Sequence, residues 1–303
     1  MGGSAHLLNL SENHTFRIDV PCGGRFILRV HRPGYQSAVA IDSELEWLAA
    51  LRAQTDLRLP RVIPGGNGRL VQTLRPAGEA PRRAVMFAFE PGREPRFGAD
   101  LGGLFETLGR YAAIAHRHAL GFRPSPLFYR PVWNAAAILD PDGLWGDWRR
   151  APGVTGTIAS RLAALDAQLR ARLATYGQEA GRFGLIHADM RLANLLVDGD
   201  RVTLIDFDDC GFGWLMYDFA AAVSFHETDP ALRGLRQSWL TGYRAVRPLA
   251  AADEAVLDTM VLLRRMALLA WIGSHSETDL ARAHAPGFAG DTADLADLWL
   301  ADR

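Results

Sequence analysis

The chain has 303 residues, 49% of them hydrophobic, which is enough to bury a large core and more than one typical domain requires. A net charge of −1 and a pI near 6.8 give no electrostatic footprint for DNA or RNA, and short pairs such as Arg82-Arg83 and Arg149-Arg150 read as solvated surface. Every one of the 33 basic residues is arginine, so a lysine Schiff base and the G-x-x-x-x-G-K-[ST] phosphate loop are both excluded.

The amino-terminal region is strand-rich with one helix. Leu10-Ser11-Glu12-Asn13-His14-Thr15-Phe16 opens a polar loop followed by a strand, in which Ser11 and Asn13 carry hydrogen-bonding side chains. Arg25 to Val30 is an apolar, β-branched strand with Phe26, Leu28 and Val30 on one face and Ile27 and Arg29 on the other. A helix follows, where Ile41, Leu45 and Leu48 recur at helical spacing and Glu44 lies beside that stripe. Gly65 to Arg69 is glycine-rich but lacks a following helical pattern, so it reads as a turn. The strand Ala84 to Phe89 ends at Glu90-Pro91-Gly92, the natural boundary between residues 1–90 and 91–303.

Beyond Pro91 the pattern turns helical. Leu101 to His118, Ile158 to Tyr176, Tyr217 to Phe225, Leu232 to Arg244 and Glu254 to Gly273 have helical periodicity or composition. Between them, Tyr129 to Trp148 is rich in tryptophan. Such rings can cage an amine cation at roughly 0.5 to 2 kcal/mol per contact, but Trp133, Trp145 and Trp148 are expected to pin an irregular insertion onto the core. The helix from Val256 to Trp271 contains Asp258, Arg264 and Arg265, which interrupt any membrane-spanning run and suit a buried core helix. With a polar amino terminus and two cysteines, Cys22 and Cys210, a cytoplasmic protein is expected.

The most informative stretch is residues 187 to 209. His187-Ala188-Asp189-Met190-Arg191-Leu192-Ala193-Asn194 leads into Leu195-Leu196-Val197, a turn at Asp198-Gly199-Asp200, and the return strand Arg201 to Ile205, followed by Asp206-Phe207-Asp208-Asp209. Asp-Gly between two apolar runs signals a hairpin. If Val197 pairs with Val202, Asn194 falls opposite Ile205, and its amide converges with the Asp206 carboxylate at the open end, where two oxygen ligands suit Mg²⁺. Asp189, two residues after His187, occupies the place of a base protruding from a catalytic loop, while His187 is expected to be structural. Phosphoryl transfer asks mainly for positioning and charge neutralisation, which this layout supplies.

The segment resembles the aminoglycoside phosphotransferase and choline kinase superfamily, whose small-molecule kinases carry H-x-D-x-x-x-x-N followed by I-D-[FW]; Tyr217-Asp218-Phe219-Ala220 is similar to its Y-D-L-A helix start. The resemblance implies an α+β, two-lobed protein-kinase-like fold with a small strand-rich lobe and a larger helical one. It implies ATP and Mg²⁺, a catalytic Asp189, and metal ligands Asn194 and Asp206. Ser11 and Asn13 would cover the ATP phosphates, Phe87, Ala88 and Phe89 would line the adenine hinge, and Arg29 paired with Glu44 would replace the family's usual Lys and Glu pair. Arginine keeps the charge but not the reach of lysine.

The expected reaction is transfer of the ATP γ-phosphate to a hydroxyl of a small molecule, nearest to the homoserine kinase-like and stress-response kinase-like branch: an amino alcohol, a homoserine-like metabolite or an aminoglycoside-type antibiotic. A protein Ser/Thr kinase and a nucleotide-binding pseudokinase are the alternatives, and neither nucleic acid nor membrane is an expected partner. His226, Glu227 and Asp229 form a second candidate acceptor patch.

Overall fold

The computed structural model describes residues 3–10, 13–21, 23–76, 78–98 and 100–301, so the expectations placed on Ser11 and Cys22 lie outside the described residues. In chain order the strands are β1 (Ser4–Leu10), β2 (Asn13–Asp19), β3 (Arg25–His31), β4 (Val62–Ile63), β5 (Val71–Leu74), β6 (Arg82–Ala88), β7 (Val132–Trp133), β8 (Phe183–Ile186), β9 (Leu195–Asp198), β10 (Arg201–Leu204) and β11 (Gly211–Trp214). The helices are α1 (Ala38–Gln54), α2 (Gly102–Gly121), α3 (Ala135–Leu139), α4 (Gly156–Tyr176), α5 (Tyr217–Ala222), α6 (Leu232–Arg244), α7 (Ala251–Ala255), α8 (Leu257–Ser274) and α9 (Asp279–Ala301). Helix α9 is broken at Pro286 and Gly287, where the ring removes a donor and glycine takes φ 78°.

Two compact units emerge. The first comprises Met1–Pro95, Phe122–Arg130 and Ala193–Asp208; the second comprises Arg96–Gly121, Pro131–Leu192 and Asp209–Arg303. The hairpin β9–β10, which the sequence assigned to the second lobe, thus belongs with the first unit. The physical reason is local: Leu204 N donates to Arg58 O, Arg93 and Val197 exchange backbone hydrogen bonds, and the Phe207 ring meets Trp47 edge-on at 5.7 Å.

In the first unit an antiparallel sheet runs β1-β2-β3-β6-β4, with β5 also paired to β6. Helix α1 starts at Ser37, whose Oγ accepts from Ala40 N at 3.0 Å, satisfying one of the amides a helix start leaves open. Its apolar stripe, Ile41, Leu45, Leu48 and Leu51, is buried, and Glu44 is buried beside it. That placement turns the helix into a holder for a charge, because a buried carboxylate requires a partner.

The second unit is mostly helical, with a small sheet β7-β11-β8. Helix α8 is apolar nearly all round and accordingly buried nearly all round, packing on α3, α4, α5, α7 and α9. Helices α2 and α6 touch through glycine: a Cβ at Gly109 would collide with the Trp239 carbonyl, and one at Gly242 with that of Glu106. The expected helix over Tyr217 to Phe225 stops at Ala222, and Phe225 takes a left-handed φ of 70°. The tryptophans of the insertion are structural. Trp133 and Trp145 pack edge to face at 4.9 Å, and Trp148 Nε1 donates to Asp166 Oδ2. No helix among the described residues is long and apolar enough to cross a membrane.

Candidate active site

In the first unit, Arg29 is the centre of the arrangement. It lies on β3, between β2 and β6, and is only 5% exposed. Its Nη2 donates to both Glu44 oxygens at 2.7 Å, and its Nη1 reaches Asp206 Oδ1 at 3.3 Å. Burial works against the charge, yet Glu44, Asp208 and Asp206 together raise the Arg29 pKa, so the guanidinium stays protonated. A fork clamped on one carboxylate and reaching a second leaves a directed positive charge at this end of the sheet.

The hairpin has the register expected from its turn. Val202 faces Val197, Leu204 faces Leu195, and Ile205 N donates to Asn194 O at 2.9 Å. Asn194 is buried, whereas the Asp206 side chain is 45% exposed. Asp206 takes φ 62°, a left-handed conformation that aspartate tolerates better than most residues and that recurs at functional sites. An amide oxygen and a carboxylate oxygen are the hard donors a divalent cation prefers, with remaining positions left for other oxygens. Among the described residues there is no cluster of three or more His, Cys, Asp or Glu side chains able to hold a metal by themselves.

The other first-unit expectations fare differently. Asn13 is buried, and its Nδ2 donates to Asp208 Oδ2 at 2.8 Å, so its amide supports the segment after the hairpin. Arg130 adds to this support by donating to the carbonyls of Ala40 and Asp208. Phe87 is buried beneath the Arg29 guanidinium at 5.3 Å, and Phe89 lies beneath Arg25 at 4.2 Å. The Ala88 amide is already bonded to Arg61 O at 2.8 Å.

In the second unit, the loop after β8 carries Asp189, 8% exposed. Ala188 takes φ 65°, a costly conformation for alanine, and Asp218 fixes it: Oδ1 accepts from Ala188 N at 2.7 Å and Oδ2 from His187 N at 3.1 Å. Asp218 lies in the first turn of α5, yet the amides it caps are those of the loop. Asp218 Oδ2 also lies 3.0 Å from His116 Nε2, and His116 Nδ1 lies 3.0 Å from Tyr243 Oη, so a buried polar chain fixes the loop from below. His187 is fully buried and its Nδ1 accepts from Asp189 N at 3.2 Å, a structural role.

Asp189 itself is gripped from both sides. Arg264 Nη2 donates to Oδ1 at 2.6 Å and Arg191 Nε donates to Oδ2 at 3.1 Å. Burial pushes the carboxyl up, but Arg191, Arg264 and His187 outweigh it and hold the pKa at about 2. Arg264 is buried in α8, also donating to Ser224 Oγ and Ala188 O, with its guanidinium over the Trp145 ring at 5.0 Å. This residue was missed as part of the site, although a charge in an otherwise apolar helix that does not span a membrane signals a buried partner. Asp189 can therefore accept a hydrogen bond from a hydroxyl while remaining anionic, and it is a weak base until late in a transfer.

Near Arg191, His226 stacks on Phe97 at 3.8 Å and His284 stacks on Phe225 at 4.0 Å. Burial, His226 and Arg191 all lower the His284 pKa; burial likewise lowers that of His226 against the opposing effect of Asp229. Glu227, expected as an acceptor-binding carboxylate, is instead buried in an ion pair with Arg265 at 2.7 Å.

The second unit thus has a positioned carboxylate on a fixed loop, and the first unit has a sheet-borne cation and a hairpin carrying two oxygen donors, each a kind of part that phosphoryl transfer uses. The chain belongs to the phosphotransferase enzyme family, whose model matches residues 7–249. It is an enzyme acting on a small-molecule alcohol group. The structure of a microcompartment-associated aminopropanol kinase is 43% identical, covering 99% of this chain and 93% of that one, with a TM-score of 0.91. A homoserine kinase of Xanthobacter autotrophicus is 33% identical over 82% of this chain and 73% of its own length. An amicoumacin kinase solved with AMP-PNP and Ca²⁺ shares the fold at a TM-score of 0.78, with 19% identity over 96% of this chain and 88% of that one.

Proposed function

We propose that the enzyme transfers the γ-phosphate of ATP to the hydroxyl of a small amino alcohol of the aminopropanol type. The observation that carries the acceptor class is the 43% identity to an aminopropanol kinase, sustained over 99% of the chain. In this reading Arg29, held by Glu44, steadies the α- and β-phosphates, and Asn194 and Asp206 hold Mg²⁺. Bound there, the metal neutralises charge on the phosphate oxygens.

Asp189 accepts the hydrogen bond of the acceptor hydroxyl and aims its oxygen. With a carboxyl pKa of about 2, it takes the proton only as the new bond to phosphorus becomes advanced. Arg191 and Arg264 prevent the carboxylate from rotating away, and Asp218 fixes the backbone beneath it. His226 and His284, with pKa values lowered, offer neutral nitrogen lone pairs and ring faces to the acceptor's ammonium group.

The test is kcat/KM for 1-aminopropan-2-ol, ethanolamine, homoserine and an aminoglycoside under saturating ATP and Mg²⁺. The amino alcohols should lead, and His284→Ala should raise their KM more than it lowers kcat. A preference for homoserine or for the antibiotic would overturn the acceptor assignment while leaving the phosphotransferase class standing.

A further inference from the structure

The arginine pair at 82 and 83 looks like ordinary surface in the sequence, but in the fold it borders a cavity of about 210 Å³. His31, Arg32, Gln36, Thr73, Arg82 and Arg83 are among the lining residues, and no carboxylate is among the described ones. We propose that this cavity is a binding site for a phosphate-class anion, separate from the residues assigned to transfer.

Charge and hydrogen-bonding capacity both favour that ligand. Three arginines line one small space, and a guanidinium has five donors in a rigid fork suited to tetrahedral oxyanions. Some are in use: Arg82 reaches His14 Nδ1 and pairs with the exposed Glu79 at 3.1 Å, and Arg83 Nη1 donates to Gln36 O at 3.2 Å. Those contacts occupy named nitrogens only and place the forks. Thr73 adds a hydroxyl to the same wall, and the Gln36 carboxamide beside it donates to Asp208 O at 3.3 Å. His31 is 2% exposed, and neither ring nitrogen has a hydrogen-bond partner among the described residues. Nδ1 lies 4.0 Å from Asp208 Oδ1, beyond hydrogen-bond reach, and a buried imidazole without a hydrogen bond is uncommon and marks unspent capacity in the cavity wall.

Size narrows the class further. Drug-sized and nucleotide-sized ligands occupy pockets of roughly 300 to 1,000 Å³, so this cavity suits inorganic phosphate or the monoester of a small alcohol. Its position gives the site meaning. His31 lies two residues beyond Arg29 on β3, and Gln36 directly precedes the Ser37 cap of the helix that carries Glu44. An anion here would bind to the ends of the two elements that hold the Arg29 and Glu44 pair.

The experiment is calorimetric titration of the full-length protein, presaturated with AMP-PNP and Mg²⁺ so that the nucleotide subsite is filled. Inorganic phosphate is titrated first and glycerol 3-phosphate second, at constant ionic strength, into wild type, Arg83→Gln and Arg82→Gln. One saturable site in wild type, weakened by about tenfold or more in either variant, is expected. Tighter binding of the phosphate ion would identify the free anion as ligand, and tighter binding of the ester a phosphorylated metabolite. Absence of saturable binding in wild type, or equal binding by all three proteins, would overturn the proposal. Neither arginine belongs to the transfer machinery, and the titration reads binding without turnover, so its failure is distinguishable from a failure of the kinase assignment.

Discussion

Replacing Arg264 with methionine tests how the fold sets the chemistry of Asp189. The guanidinium has 2% side-chain exposure and the carboxylate 11%, and they meet at 2.6 Å. Methionine fills much of the volume but removes the donors to Asp189 Oδ1, Ser224 Oγ and Ala188 O. Breaking a buried pair by deleting one partner costs about 3 to 5 kcal/mol, and that is the expected loss in urea unfolding of Arg264→Met. A second consequence is chemical. With only Arg191 and His187 opposing burial, the Asp189 carboxyl should rise from about 2 towards or past its ordinary 3.8. Its depressed value contributes stability that is present above pH 3.8 and is lost as pH falls towards 2, so the variant should have a shallower acid dependence of stability in that window. Adding Asp189→Asn removes the orphaned charge, and the double variant should be less destabilised than the two single losses added together. Wild-type stability in Arg264→Met, or strict additivity in the double variant, would refute the clamp.

Arg29→Lys should retain part of the transfer activity and weaken nucleotide binding, because the charge survives but the fork that holds Glu44 through Nη2 and reaches Asp206 through Nη1 does not; Arg29→Ala should strand a buried carboxylate and lose both stability and nucleotide binding, as read by thermal shift with and without nucleotide. Asp218→Asn should lower kcat with little change in nucleotide affinity and reduce stability by about 1 to 3 kcal/mol, since one amide oxygen cannot serve the acceptors' roles at Ala188 N, His187 N and His116; an unchanged kcat would mean that the loop holds itself. His31 has its pKa pushed down to about 3 from an ordinary 6.5 by burial first and by Arg29 next. The unfolded chain therefore takes up a proton below pH 6.5 that the folded protein refuses, and about 2 kcal/mol of stability should be lost by pH 5 through this residue. Denaturant titrations of His31→Gln should lack that component of the pH dependence, and a slope equal to that of wild type would remove His31 as its source.

Much of the site was legible because its parts are local or use strong turn chemistry. Gly199-Asp200 form a two-residue turn between the paired Asp198 and Arg201, and counting back from it places Asn194 beside Ile205 without any tertiary information. Arg29 and Glu44 were legible as a pair through the family resemblance, which places a cation on this strand and its carboxylate partner on the following helix, and the structure joins them at 2.7 Å. The remainder depends on contacts between distant segments. Asp218 reaches back 30 residues to Ala188, Arg264 reaches 75 residues to Asp189, and Asn13 reaches 195 residues to Asp208. Such partners leave no periodicity behind. Helix α8 is buried nearly all round, so its hydrophobic pattern gives no hint of which side Arg264 serves. The grouping of the hairpin with the first unit was equally invisible, because it rests on Arg58, Arg93 and Trp47 meeting a segment more than a hundred residues later.

The most direct test of the central claim is a single-turnover measurement of γ-phosphate transfer from labelled ATP with Mg²⁺ to 1-aminopropan-2-ol, run on wild type and Asp189→Ala with nucleotide binding followed in parallel. The expected result is a phosphorylated amino alcohol from wild type, and in Asp189→Ala an unchanged ATP affinity with transfer slowed by about a hundredfold or more. Transfer by Asp189→Ala at the wild-type rate would contradict the assignment of that carboxylate as the group that receives and aims the hydroxyl.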